Sequence, residues 1–523
     1  MQAALAGVAD KLLRKNREER YSSAEAVLED LASPAPPQAL PARALTRLIV
    51  LPFRLLRRHE ASDFLSLSLP DAITSSLAAI DSLVVRSTMA ASRFAASTEL
   101  DVNAIAEQAQ VDAILTGTIL SDGEHLRVTT QLVETPSGTV LWSNTSHVSL
   151  RDIFQLQDEL VDRIVQSLTL PLTAREQRAL KHDVPASASA YELYLRANQL
   201  AAVGSVPNMI QARDLYLRCV DADPKYAPAW ACLGRTHRFV GQYVGDQAEN
   251  LARADDAFRK AFKLNSELPL AHNLYTALET DLGRSLDALE RLLKRAHFRR
   301  NDPNLLAGLV QACRYCDQLE ASVAAHDRAR RLDPHVRTSV AYTYLRLGDF
   351  QKALDSCSPV DWYFVAPALM VLGLEQEAFA HLRQSGKGPG KDAHELSAPF
   401  DLHPWAVFHR ALLEGDRRKS LEALNQALEL VPFHTTDPEG RFRVACLLTK
   451  LNDPERALKF LSLALDKGYH CHYALLHDPW LDSLRSDHRF TELVNRAAEM
   501  SLQARNVFLD NGGDRLLGVQ WTS

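Results

Sequence analysis

The sequence predicts two parts, a small α/β domain followed by an all-α solenoid, and three observations carry that prediction. Between Thr46 and Pro171 the apolar pattern switches several times between period 2 and period 3.6. From Tyr191 onward the chain reads as helix throughout and repeats itself, with small residues 34 positions apart at Ala254, Ala288 and Ser322. With 523 residues, 46% of them hydrophobic and 24% charged, the chain can bury cores in two to four domains without metals or disulfides.

Composition also excludes function classes. A net charge of −6 supplies no general attraction to phosphate backbones, so no nucleic-acid partner is expected. Seven cysteines without regular spacing describe no disulfide framework, which points to a reducing, cytoplasmic setting. The longest apolar runs, such as Leu45 to Phe53, fall far short of the ~20 residues a spanning helix needs. No signal peptide is visible at the start.

Taken in order, residues 1–31 contain the run Lys11 to Leu31, KLLRKNREERYSSAEAVLEDL. An amphipathic helix with Leu12, Leu13, Val27, Leu28 and Leu31 as its stripe accounts for it locally. It also resembles the final helices of a bacterial serine/threonine protein kinase domain of the eukaryotic type, in which Arg20 would hold the place of the C-lobe arginine. The Gly-rich loop with its lysine, the catalytic-loop Asp and the Asp-Phe-Gly motif are all absent, so phosphoryl transfer by this chain is not expected. Residues 32–45 carry the prolines of a semi-rigid linker.

Residues 46–171 read as strand Arg47 to Phe53, helix Asp63 to Ile80, strand Leu83 to Met89, helix Val102 to Ala109, then three strands (Ala113 to Leu120, His125 to Glu134, Thr139 to Val148) and a helix Asp152 to Leu168. Asp122-Gly123 and Pro136-Ser137-Gly138 supply the two turns of the meander. The runs IVLPF (Ile49 to Phe53), VDAILTGTI (Val111 to Ile119), LRVTTQLVETPSGTVLWS (Leu126 to Ser143) and DIFQLQDELVDRIVQSL (Asp152 to Leu168) resemble a TolB-like amino-terminal-type domain. The resemblance implies an α/β fold that occurs in bacteria beside kinases, cyclases and transcription factors. The loop after the first strand, Arg54 to Glu60, departs from that family in being basic, so no ligand is carried over to it.

The helical part divides into residues 187–384, an interruption at 385–404, a second stretch with its cap at 405–500 and a tail at 501–523. DADPKYAPAWACLGRTH (Asp221 to His237) resembles the tetratricopeptide (TPR) repeat, in which a small residue marks the close crossing of each second helix over its first. The anchors are Ala212, Ala254, Ala288, Ser322, Ala353, Ala378, Ser420 and Ala457, each followed by larger apolar or small residues such as Tyr216/Cys219 and Phe258/Ala261. The 42-residue gap between Ala212 and Ala254 is read as an eight-residue insertion at Tyr243 to Asn250 that lengthens a turn. Gly348-Asp349, Gly415-Asp416 and Asn452-Asp453 punctuate helix pairs. The run Gly468 to Phe490 looks like the cap of repeat arrays in kinase-linked proteins of this kind. About eight pairs would stack into one curved superhelix, because no pair covers its own apolar face.

Candidate chemistry is thin. Gly386 to Lys391 lacks the spacing and the Ser/Thr of a phosphate loop, with Asp392 in that slot. Cys313 and Cys316 form a lone CxxC without a second pair. His470, Cys471 and His472, with His477 nearby, alternate along a turn and should point apart. Asp255-Asp256 belongs to a solvated helix face, and Asn144 to Ser146 is a glycosylation triplet in the wrong compartment. No catalytic, cofactor-binding or metal-binding residue is assigned, and no cofactor. The expectation is therefore a non-catalytic regulatory or scaffolding region of a kinase-type signalling protein, a fragment or a kinase-less relative, that takes a protein or peptide on the concave TPR surface. The alternative is a sensor whose α/β domain binds a small ligand, with its output on another polypeptide.

Overall fold

The computed structural model describes residue 23 and residues 45–520, apart from 60–61, 95–100, 123–124, 171, 181–182, 184, 358–361, 386–403 and 431–436. The expected kinase-like segment at 1–31 and the Gly386 to Lys391 loop lie outside the described residues. So does nearly all of the interruption at 385–404. Residues Thr46–Ser523 form one unit, a small mixed sheet followed by helices.

The sheet runs in the order β3-β1-β4-β5-β6, with β1 Thr46–Val50, β3 Leu83–Val85, β4 Ala113–Ser121, β5 His125–Glu134 and β6 Val140–Ser149; a two-residue β2, Arg54–Leu55, pairs with β4. Pairing of β1 with β3 and β4 is parallel; β4, β5 and β6 are antiparallel. The sequence reflects this difference. Leu48, Ile49 and Val50 in central β1 are all buried, because helices cover both faces, whereas β5 alternates, with Leu126, Val128 and Leu132 inward and His125, Arg127 and Gln131 outward. Helix α1 (Leu65–Leu77) and α4 (Ile153–Ser167) cover one face; α2 (Thr88–Ser92) and α3 (Val102–Ala109) lie beside β1 and β4 on the other. The expected strand Leu83 to Met89 is shorter than read. Ser87 accepts a hydrogen bond from the Ala90 amide and caps α2, so the chain leaves the sheet after Val85.

After a short α5 (Ala174–Leu180) come eight helix pairs among the described residues. They are α6/α7 (Ala188–Val203, Val206–Ala222), α8/α9 (Ala227–Tyr243, Gln247–Leu264), α10/α11 (Pro269–Asp281, Ser285–Ala296) and α12/α13 (Pro303–Tyr315, Leu319–Leu332). Then follow α14/α15 (Val340–Leu347, Phe350–Ser356), α16/α17 (Trp362–Val371, Glu375–Ser385), α18/α19 (Pro404–Leu413, Arg417–Leu430) and α20/α21 (Pro438–Lys450, Pro454–Asp466). All eight anchors, from Ala212 to Ala457, sit on second helices with 0% exposure, where a larger side chain would push the pair apart. In α8 the same crossing requires Gly234, since a Cβ there would stand 2.7 Å from the Phe258 ring. First helices of consecutive pairs also touch one another (α8 with α10, α10 with α12, α12 with α14), so they form the inner row of the curve.

Two expectations need correction. The insertion at Tyr243 to Asn250 does not lengthen a turn: residues 244–246 remain a tight connection, and α8 and α9 instead run to 17 and 18 residues against 13 and 12 in α10 and α11. An extra helical turn or so on each partner keeps the apolar stripes in register. Nor does a tail begin at 501. Past α22 (His472–His477) and a 3₁₀ segment (Pro479–Leu484), α23 (His488–Asp510) continues unbroken, buries Ala504 and Phe508, and is followed by α24 (Gly513–Leu517), which packs on α13. The two parts also pack on each other. Tyr191, Tyr194, Leu195 and Met209 belong to the same buried cluster as Leu65, Ile73, Leu160 and Ile164, so the sheet and the first pair share one core.

Polar contacts extend that joint across the array. Arg299 donates to the carbonyls of Ala78 and Ala79 just past the end of α1, and the Asn301 amide donates to Asp81 at 3.2 Å. Arg86, 1% exposed, donates to the Leu332 carbonyl at 2.6 Å and faces Asp333 at 3.3 Å.

Candidate functional site

The inner row of helices is where an array of this kind offers a concave surface, but α12 and α14 find theirs already occupied. The end of the chain folds back onto them. Glu439, near the start of α20, lies between two guanidinia: Arg314 of α12 donates through Nε and Nη2 at 3.1 Å each, and Arg346 of α14 through Nε at 3.4 Å. All three side chains are 3–4% exposed. Tyr469 donates to the same carboxylate at 3.3 Å, and Tyr315 donates to Asp437, the N-cap of α20, at 2.6 Å. Burial pushes Glu439 up, yet Arg314, Arg346 and Arg443 outweigh it and hold the carboxyl below its usual range. Asp437 goes the other way, raised to about 6 by burial and then by the charge of Glu439.

The backbone closes tightly beside this cluster. Ser285 donates to the Gly468 carbonyl at 2.5 Å, the His470 amide donates to the Tyr315 carbonyl at 2.9 Å, and Ser501 donates to Asp317 at 2.9 Å. Gly468, with φ +70°, must be glycine here, because a Cβ would stand 2.8 Å from the Gly283 carbonyl oxygen.

Among the described residues the inner row carries a cavity of about 90 Å³ lined by α14, α16, α18 and α20 and by Trp480 of the 3₁₀ segment. Leu345, Pro367, Val371, Trp405 and Val444 make its wall apolar, and Arg346, Arg443, His409 and Asp478 bring polar groups to it. That volume is the liquid share of about three water molecules, the scale of one branched aliphatic side chain. Arg346 joins the cavity to the ion cluster: its guanidinium lies 4.5 Å above the Phe442 ring and 3.9 Å from Asp478, whose carboxyl burial pushes up.

The residues weighed in the sequence fall elsewhere. Cys313 and Cys316 are buried free thiols of the α12 end, and burial pushes Cys316 to about 12, which suits packing rather than ligation. His470 is buried and driven to about 4, while His472 and His477 lie on α22, with His477 stacked on Tyr473. Among the described residues no group of three His, Cys, Asp or Glu could hold a metal ion. Asp256 is exposed, but Asp255 is buried against Arg284 and Tyr275, because adjacent positions point ~100° apart on a helix. Arg57 and Arg58 of the basic run are exposed beside β2, and Asn144 lies on β6. Sequence reasoning missed Arg314, Arg346 and Glu439. Their only mark was charge at first-helix positions that otherwise face inward.

Comparison with known proteins adds three findings. A sequence model of the HilA/YgeH-like transcriptional regulator family, second domain, matches residues 44–164, the segment that builds the sheet. A Rhizobium meliloti (strain 1021) protein named "Putative adenylate cyclase 3" is 27% identical over 264 residues, covering 50% of this chain and 44% of that protein, so the chain matches less than half the length of that relative. Among solved structures, the APC/C hetero-tetramer Cut9-Hcn1 is similar at a TM-score of 0.31 with 12% identity, over 66% of this chain and 84% of that one. The P58(IPK) TPR domain is similar at 0.17 with 16% identity, over 68% and 99%. No helix among the described residues is long and apolar enough to cross a membrane.

Proposed function

We propose that this chain is a non-catalytic regulatory scaffold that binds a protein partner through the inner face of a TPR-type array, with a TolB-like domain fused to its start. The observation that carries the reading is the cavity of about 90 Å³ walled by four first helices, an apolar anchor site on the surface such arrays present to peptides. One buried aliphatic side chain contributes ~1.5–3 kcal/mol, so the cavity supplies an anchor and flanking contacts supply the rest. The regulator family matched by residues 44–164 supports a regulatory role. Two outputs fit a longer parent protein in the cytoplasm: a serine/threonine kinase, from the Lys11 to Leu31 resemblance, and a nucleotide cyclase, from the name of the Rhizobium relative.

The test is panning a random-sequence peptide library against the full chain and against a variant with Ala368→Trp, since Ala368 of α16 lines the cavity and a larger side chain there fills it. Enrichment of peptides with one recurrent aliphatic position, lost in a folded Ala368→Trp variant, is expected. Enrichment that survives the filled cavity, or none with the natural chain, contradicts the reading.

A further inference from the structure

The sheet ends on β6, and its outer edge meets no other strand among the described residues. An unpaired edge is a row of backbone donors and acceptors, and folded proteins blunt such rows with lysine, proline, bulges or short strands. From Trp142 to Ser149 the pairing of β6 with β5 is unbroken, and those eight residues contain no proline, lysine, arginine, aspartate or glutamate. The register irregularity lies at the other end, where Leu132 pairs with Trp142 but Val133 with Val140. The exposure has a direction. Leu126, Val128 and Leu132 of β5, facing α4, are buried to 1% or less, yet their neighbours Trp142 and Val148 on β6 are only half-buried, and Val140 and Leu141 are 48% and 38% exposed.

We infer that β6 is a homodimer interface, joined edge to edge with β6 of a second copy in antiparallel order to make one continuous sheet. Side chains opposite each other in an antiparallel pair must share a face, so a two-fold register pairs odd with odd and even with even positions. Setting Thr145 opposite Thr145 satisfies this. It places Trp142 against the partner's Val148 on the core side, Ser143 against the partner's His147 on the open side, and Leu141 against the partner's Ser149. The hydroxyl row of Thr129 and Thr145, 3.1 Å apart, then runs on into the second copy. A strand with no fixed charge meets its own copy without like-charge repulsion, and a two-fold contact closes after two chains, so an open edge is not left to propagate. Eight residues extend ~27 Å, enough for a full ladder. This inference is independent of the inner-face cavity.

The experiment is the solution mass of the full chain, 58.2 kDa per copy, by sedimentation equilibrium at micromolar concentration. Twice that mass is expected for the natural chain and for Gln131→Lys, which puts a lysine on the same open face but one strand inward. The double variant Ser143→Lys/Thr145→Lys should sediment as a single copy with an unchanged circular dichroism spectrum. Thr145→Cys, opposed to itself across the two-fold, should cross-link to a covalent dimer under mild oxidation. A single-copy mass for the natural chain leaves the edge to a foreign strand and overturns the inference; so does a doubled mass that survives the two lysines.

Discussion

Where the sheet meets the array, Tyr191, Leu195 and Met209 continue a core begun by Leu65 and Ile164; where α20 meets α12 and α14, a glutamate sits between two guanidinia. The first contact buries apolar surface, which is non-directional and tolerant of detail. The second joins residues 125 positions apart through charges that must find defined partners. A buried ion pair gains little over an apolar replacement but costs heavily when half removed. The closure therefore specifies which arrangement forms more than it raises stability, while the joint holds the molecule together.

The largest effect that separates the two is Glu439→Ala. It strands Arg314 and Arg346 in a buried site and should cost ~3–5 kcal/mol in urea unfolding, whereas replacing all three by Met and Leu should be close to neutral. A triple variant that loses as much as the single one would show that the ions hold the closure by strength. At the joint, Arg299→Ala removes charge-assisted hydrogen bonds to the Ala78 and Ala79 carbonyls, an expected loss of ~1.5–3 kcal/mol by thermal denaturation. Within a pair, Ala254→Leu overfills the crossing against Gly234 and Phe258 and should cost ~1–3 kcal/mol, with no loss of closure contacts.

Much of this was legible in the sequence, for a physical reason: local patterns report local structure. The eight small anchors, the turns at Gly348, Gly415 and Asn452 (φ +76°, +73° and +55°) and the alternation in β5 each reflect contacts within about 40 residues. The 42-residue spacing was seen but misassigned, since spacing alone does not say whether added residues go to a loop or to both helices. The closure was hidden. Arg314 and Glu439 look like ordinary surface charges on amphipathic helices, and only the curvature summed over several pairs brings them together. The cavity was hidden likewise, because Leu345, Val371, Trp405 and Val444 are unremarkable core residues until four helices are placed.

The closure should also depend on pH. Asp437 and Asp317 are each raised to about 6, chiefly by burial, from an ordinary 3.8. The folded chain thus holds these protons more tightly than the unfolded one, so their contribution to stability is present below about pH 4 and is lost as pH rises toward 6. Asp317→Asn, which keeps a group for Ser501 to bond, should flatten that slope in denaturation midpoints taken between pH 4 and 7.

The claim that the array is shut by its own end is tested most directly by a double-mutant cycle on Arg314 and Glu439 in the full chain, with Arg314→Met, Glu439→Leu and the pair together. Two residues bonded at 3.1 Å in a dry site should couple by ~2–3 kcal/mol, the double variant losing far less than the single losses combined. Coupling below ~0.5 kcal/mol, the value for independent sites, would mean that α20 does not sit on α12 in solution, and the closed array would be contradicted.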